Sequence, residues 1–177
     1  MAHVSFWLVP AEDDCALLQS MIDSLTQAHG AAPFLPHVTL YSGPSPDGIS
    51  IEALLAEATQ GLPPLELKIE DIRHSGVFTK TVFIQLANIS PLTQLANRIR
   101  EGVPNPSEYS FDPHVSLIYQ YLDEATREQI AASISIPQTT LKFDQVQAIG
   151  SLDTFETQED VRTLRCLCRQ FLMSTTS

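Results

Sequence analysis

Two short stretches constrain this chain more than any others: Pro36-His37-Val38-Thr39-Leu40-Tyr41 and Pro113-His114-Val115-Ser116-Leu117-Ile118-Tyr119. Each sets a proline, then a histidine, then a hydroxyl residue two places on, with apolar residues between and after. Successive side chains of a β-strand point to opposite faces. As strands, the two stretches put His37 with Thr39, and His114 with Ser116, each pair on one face. Val38, Leu40, Val115 and Leu117 then point the other way, onto apolar faces that can pack against helices. A single histidine on a half-apolar strand is ordinarily structural. Its recurrence with the same preceding proline and the same hydroxyl spacing points to chemistry.

The rest of the chain supplies a frame for these strands. Residues 3–9 are β-branched and aromatic and predict a strand, ended by Pro10. From Ala11 the apolar residues Leu17, Leu18, Met21, Ile22 and Leu25 recur at helical spacing, with Gly30 as the C-terminal cap. The first motif strand covers 36–42. Ser50 caps a short helix through Thr59, and 65–74 and 77–87 read as the two strands of a hairpin. Ser90-Pro91 opens another helix. The second motif strand runs from 114 to 119, a helix covers 123–133, and strands at 140–152 and 161–172 close the chain across an acidic loop at 153–160. The order β-α-β-α-β-β-α-β-α-β-β predicts an α+β fold with antiparallel sheets backed by helices. No flexible linker interrupts it, so residues 1–177 read as a single domain, with a motif strand, a helix and a hairpin occurring twice as two lobes.

Charge narrows the substrate. The chain carries 10 Lys plus Arg against 21 Asp plus Glu, a net charge of −11, with no basic run. Sequence-independent binding of long nucleic acid needs many cationic phosphate contacts, so no long nucleic-acid partner is expected. A small anion held in a local cleft is compatible with the global charge. Cys15, Cys166 and Cys168 are odd in number, and the N-terminus has no charged and apolar leader pattern. A reducing, cytoplasmic location is expected. No apolar run is long enough to span a membrane, and no membrane partner is expected.

On these residues the chain resembles the two-histidine (2H) phosphoesterase superfamily, whose mark is a pair of His-x-Thr/Ser-x motifs on strands. Within it the resemblance is to the plant and yeast type of cyclic phosphodiesterase. Ser5-Phe6-Trp7-Leu8-Val9-Pro10 is similar to that group's opening strand, and Phe34 to Leu40 and Phe111 to Tyr119 are similar to its motif strands. The resemblance implies a bilobal fold with two antiparallel sheets around a central groove. It implies hydrolysis of ribose cyclic phosphates, such as ADP-ribose 1″,2″-cyclic phosphate and nucleoside 2′,3′-cyclic phosphates, with no metal and no cofactor. It implies catalytic His37 and His114, with Thr39, Ser116, Tyr119 and Phe78 binding substrate. The expected partner is a small cyclic phosphate nucleotide, and the expected state a monomer.

These residue types suit that chemistry. Opening a cyclic phosphodiester requires a base for the water and an acid for the departing oxygen, and two imidazoles can divide the work. The Thr39 and Ser116 hydroxyls can donate to non-bridging phosphate oxygens. The resemblance points to His37 as acid and His114 as base, an order the sequence itself leaves open. Tyr119 lies five residues after His114, on the opposite face of a regular strand, so its place in a site requires a strand end or a bulge. Phe78 and Phe83 also differ by five, and the resemblance selects Phe78. Trp7 is expected in the core, His3 and His29 at the surface. His74, Arg73 and Lys80 are further candidates for phosphate, and Asp112 reads as a turn residue. The alternatives are an RNA 2′,3′-cyclic phosphodiesterase or 2′-5′ RNA ligase-like enzyme, and a non-catalytic nucleotide- or metal-binding module. Two imidazoles with two hydroxyls are a weak set for a transition metal.

Overall fold

The β-branched and aromatic run at the N-terminus forms strand β1, His3–Pro10, and the chain turns at once into helix α1, Glu12–Ala28. This computed structural model describes residues 2–173. Glu12, Asp13 and Asp14 occupy the first turn of α1, where the helix dipole favours negative charge, and Leu18 and Ile22 face the core. Gly30, with a φ of 64°, takes the left-handed conformation after its end. Strand β2, Val38–Pro44, and helix α2, Ile51–Thr59, follow. The Ser50 hydroxyl accepts from the Ala53 amide to cap α2, as the sequence predicts.

Strand β3, Leu65–His74, returns through a short turn to β4, Val82–Leu86. The second strand of this hairpin is shorter than the expected 77–87, because Phe78–Lys80 coil into a 3-10 turn. The Thr81 hydroxyl donates to the Phe78 carbonyl across that turn and to the Gln120 carbonyl. Helix α3, Ser90–Gly102, strand β5, His114–Ile118, helix α4, Glu124–Ser133, and strand β6, Thr140–Ser151, stand close to their expected places. The 153–160 segment is not wholly a loop. Thr157 and Asp160 form a reciprocal capping box that starts a short helix, α5, Gln158–Arg162, before the last strand, β7, Arg165–Phe171.

The strands form one antiparallel sheet in the order β1-β2-β5-β4-β3-β6-β7, with β1 also paired to β6. The long β6 joins two wings. Beyond Phe143 it pairs with β1, and with β7 from Gln145, while Thr140–Phe143 pair with Leu65–Lys68 of β3. The wings meet again where β2 and β5 touch at a single residue pair, Val38 with Val115. The two sheets expected from the sequence are therefore continuous through β6. Helices cover the outer faces, and the inner faces enclose a groove.

Register explains why the contact at Val38 and Val115 matters. Leu8 aligns with Val38, Val38 with Val115, and Val115 with Ile84, so one apolar row crosses four strands. All four side chains are fully buried in the main core. Residues flanking this row on β2 and β5 necessarily point the other way, into the groove. Val115→Ala removes two buried methyl groups from the row and is expected to cost about 2 kcal/mol, seen as a lower urea midpoint at unchanged slope.

Candidate active site

Antiparallel pairing at Val38 and Val115 is the step that assembles the motifs. One residue to either side, the same register sets His37 level with Ser116 and Thr39 level with His114. The two His–hydroxyl pairs thus cross each other on the groove face. All four line one cavity of about 420 Å³, together with Trp7, Lys80, Asp112 and Tyr119. That volume falls in the range that holds small-molecule ligands.

Both imidazoles are held alike. The Nδ1 of His37 lies 2.6 Å from the Leu35 carbonyl, and that of His114 lies 2.7 Å from the Asp112 carbonyl. A carbonyl only accepts, so each ring carries its proton on Nδ1 and leaves Nε2 for chemistry. In both motifs the accepting residue stands immediately before the proline. Proline pushes its predecessor to an extended backbone, and the repeated Pro-His unit sets the same two-residue return bond twice. His37 lies one residue before β2, and His114 is the first residue of β5.

Their surroundings differ. His37 is 4% exposed. The Trp7 ring stacks on it at 3.5 Å and 2°, and Phe34 meets it edge-on. The Tyr119 hydroxyl donates to its Nε2 at 3.3 Å. Burial, outweighing the Leu35 hydrogen bond and aided by the nearby His114, pulls its pKa down to about 3. His114 is half-buried, with Phe83 edge-on at 5.4 Å. Burial lowers its pKa too, and Lys80 adds to that, while the bond to the Asp112 carbonyl and the Asp112 carboxylate oppose it. A carboxylate thus stands beside one imidazole, and stacked aromatics beside the other.

The hydroxyls also differ. Ser116 is buried and its hydroxyl donates to the Thr79 carbonyl at 2.6 Å, so it presents lone pairs to the cavity. Thr39 is half-buried and its hydroxyl has no hydrogen-bond partner among the described residues.

Tyr119 reaches the cavity because β5 ends at Ile118, which frees it from strand alternation. It stacks on Phe34 at 3.8 Å. Phe78, expected to bind substrate, does not line the cavity. The 3-10 turn sends its ring behind Tyr119, against Tyr121 and Phe155. Trp7 is buried as expected, yet its exposed edge is cavity wall.

Sequence reasoning passed over Asp112 and His3. Asp112 is more than a turn residue: its carboxylate accepts from Lys80 Nζ at 2.6 Å and from Gln85 Nε2 at 2.9 Å, and its carbonyl holds His114. Its position two before the histidine was the available signal. His3, expected at the surface, is half-buried: it lines the cavity and its Nε2 lies 2.9 Å from the Ser42 hydroxyl. Lys80 lines the cavity, whereas His74 does not and Arg73 pairs with Asp71 and Glu70 on the exposed side of β3. No three His, Cys, Asp or Glu among the described residues are grouped to hold a metal ion. Nor is any helix among them long and apolar enough to cross a membrane.

Residues 10–154 match the model of the 2′-5′ RNA ligase superfamily. No curated protein matches the sequence. Among solved structures, E. coli LigT complexed with 3′-AMP is 18% identical with a TM-score of 0.60, the alignment covering 98% of this chain and 99% of that one. TT0787 of Thermus thermophilus is 14% identical with a TM-score of 0.61, over 98% of this chain and 100% of that one. At these identities the likeness is one of fold.

Proposed function

The chain belongs to the 2′-5′ RNA ligase superfamily of two-histidine phosphoesterases, and on that premise we propose that it hydrolyses ribose cyclic phosphates to phosphomonoesters. The substrates are nucleoside 2′,3′-cyclic phosphates and ADP-ribose 1″,2″-cyclic phosphate. The observation that carries the reading is the crossed pair of imidazoles on one cavity, each tied at Nδ1 to a backbone carbonyl, so that Nε2 is the nitrogen left to exchange a proton, that of His37 by releasing the Tyr119 hydroxyl. Two such groups supply both proton transfers of the ring opening, so the step is read as metal-independent.

The unequal surroundings support a division of labour opposite to the one the resemblance implied. His37, stacked and buried without a carboxylate, stays neutral and accepts the proton of the attacking water at Nε2. His114, whose pKa is lowered by burial and partly restored by the Asp112 carboxylate, carries a proton on the acid side of that pKa and donates it to the departing ribose oxygen as the P–O bond of the ring breaks. Thr39 donates to a non-bridging oxygen, while Ser116 can do so only by releasing the Thr79 carbonyl. Lys80 is the cavity's lysine, paired with Asp112, and a single cyclic phosphate suits so small a positive charge.

The test is turnover of adenosine 2′,3′-cyclic phosphate and of ADP-ribose 1″,2″-cyclic phosphate with EDTA present, followed by phosphorus NMR across pH. Lack of turnover of both by folded protein would defeat the reading. In the free protein both histidine pKa values lie below 6.5. Activity needs His114 protonated and His37 neutral. Hence kcat/KM is expected to fall as pH rises through the His114 pKa, with its maximum on the acid side of neutrality. Asp112→Asn removes the carboxylate that raises the His114 pKa and unpairs the lysine that lowers it. That variant is expected to move the alkaline limb further toward acid. An unchanged limb would assign the proton elsewhere.

A further inference from the structure

Alternation along β1 sends Val4, Phe6 and Leu8 into the main core, and His3, Ser5 and Trp7 onto the catalytic cavity. Strand β2 departs from alternation to match it. Ser42 lies three residues after Thr39, so a regular strand would turn it toward the core. The β1–β2 register instead slips between Phe6 and Trp7: Trp7 pairs with Thr39, Phe6 with Tyr41 and Ser5 with Ser42. Leu40 and Tyr41 are therefore both buried in the core, and Ser42 joins Thr39 on the cavity wall. A bulge of this kind re-aims a side chain beside an active site. Ser107 pins it from outside. Its amide donates to the Tyr41 hydroxyl at 2.9 Å, and its hydroxyl donates to the Ser42 carbonyl at 2.6 Å.

What the bulge completes is a hydrogen-bonded row. The Ser42 hydroxyl lies 2.7 Å from that of Ser5 and 2.9 Å from Nε2 of His3. The row takes no part in the proton transfers described above. It begins two residues from Trp7 and ends four residues from it, about 7 to 13 Å along the strand. Trp7 is stacked on His37, so the row stands beyond the place where a cyclic phosphate meets the imidazoles. The ribose of a nucleoside 2′,3′-cyclic phosphate is fused to its phosphate ring. The group that extends as far as the row is the base. Charge points the same way. Among the described residues Lys80 is the only lysine or arginine lining the cavity, and it is paired with Asp112. Asp153 lines the cavity near His3, close enough to oppose the lowering of its pKa by burial. A further phosphate here would meet a carboxylate with no cation to balance it. A base edge is uncharged and mixes donors with acceptors, as hydroxyls and a neutral imidazole do.

We infer that His3, Ser42 and Ser5 form the nucleobase subsite of this cavity. The row meets the hydrogen-bonding edge of the base while the ribose cyclic phosphate lies against the two imidazoles. The assignment rests on the hydrolase reading above for its kinetic form, though not for its binding form.

The kinetic test uses wild type and His3→Ala/Ser5→Ala, which removes both ends of the row and leaves the Ser42 bulge in place. It compares adenosine 2′,3′-cyclic phosphate with 1-O-methylribose 2,3-cyclic phosphate, which carries the same reacting ring and no base. The base-free compound is read by its Ki against the nucleotide. The double variant is expected to raise KM for the nucleotide about tenfold, with kcat within twofold and the base-free Ki within twofold. Equal effects on both compounds, or none on either, overturn the inference and leave the hydrolase reading standing. So does a base-free compound that wild type binds as tightly as the nucleotide. Absence of turnover of the nucleotide and of ADP-ribose 1″,2″-cyclic phosphate by wild type defeats the hydrolase reading instead. The subsite is then decided by calorimetry with adenosine 3′-monophosphate, whose affinity should fall about tenfold in the double variant. Unchanged affinity, or no binding by wild type, overturns it.

Discussion

Replacing His114 with alanine is expected to lower kcat/KM for a ribose cyclic phosphate by about 10²–10⁴-fold, and His37→Gln should do the same. Each substitution removes one of two proton transfers from a step that needs both. Combining them should cost little more than the worse single change, because residues that act as a unit are not additive. The loss should fall on kcat more than on KM. Thr39, Lys80 and Tyr119 remain on the cavity wall in both variants. Glutamine is the better probe at position 37, since His37 is almost fully buried under Trp7 and alanine would leave a void. The pH profile separates the roles. His114→Ala should abolish the alkaline limb, as no protonated imidazole remains to lose. A variant that keeps wild-type turnover at either position would remove that histidine from the chemistry.

The same burial of His37 is expected to make the fold acid-sensitive. In the unfolded chain this imidazole titrates near 6.5; in the folded protein its pKa is lowered to about 3. Between those values the unfolded chain binds a proton that the folded protein does not, so stability falls as pH falls. At 1.36 kcal/mol per pH step the loss amounts to about 3 kcal/mol by pH 4, and it ends below the folded value. His114 and His3 have lowered pKa values as well and act in the same direction. The Asp112 carboxylate, held low by its bonds to Lys80 and Gln85, adds its own loss only nearer its unfolded value of 3.8 and below. His37→Gln removes the largest of these contributions. Its urea midpoint should change less than the wild type's between pH 7 and pH 4. Parallel curves for the two proteins would mean that His37 becomes protonated in the fold, and that it is not the neutral base.

The stacking that produces this shift is also a reason for the site's shape. Trp7, Phe34 and Tyr119 enclose His37 on an apolar wall, whereas His114 keeps a carboxylate, an amide and a lysine near it through Asp112, Gln85 and Lys80. Two motifs of nearly the same sequence thus receive different surroundings, although burial lowers both pKa values. The difference comes from residue 35 against residue 112 in the chain, and from β1 against β4 across the sheet.

Local sequence was enough to place His37 with Thr39 and His114 with Ser116 by alternation. It was enough, too, for the cap at Ser50 and for the order of strands and helices apart from α5, because these depend on near neighbours and on the period of side-chain burial. The capping box at Thr157 and Asp160 had a local signal as well, a hydroxyl three residues before an acid, which the reading of 153–160 as an acidic loop passed over. Whatever depends on register and on strand ends was settled by packing alone. The pairing of Val38 with Val115 crosses the two motifs, and no local pattern states which residues of distant strands align. The stop of β5 at Ile118 turns Tyr119 into the cavity, and the 3-10 turn at Phe78–Lys80 exchanges Phe78 for Thr79 and Lys80 on its wall. The unequal surroundings of the two imidazoles likewise arise only in three dimensions, since burial and the approach of a carboxylate are properties of the packed neighbourhood, not of the motif.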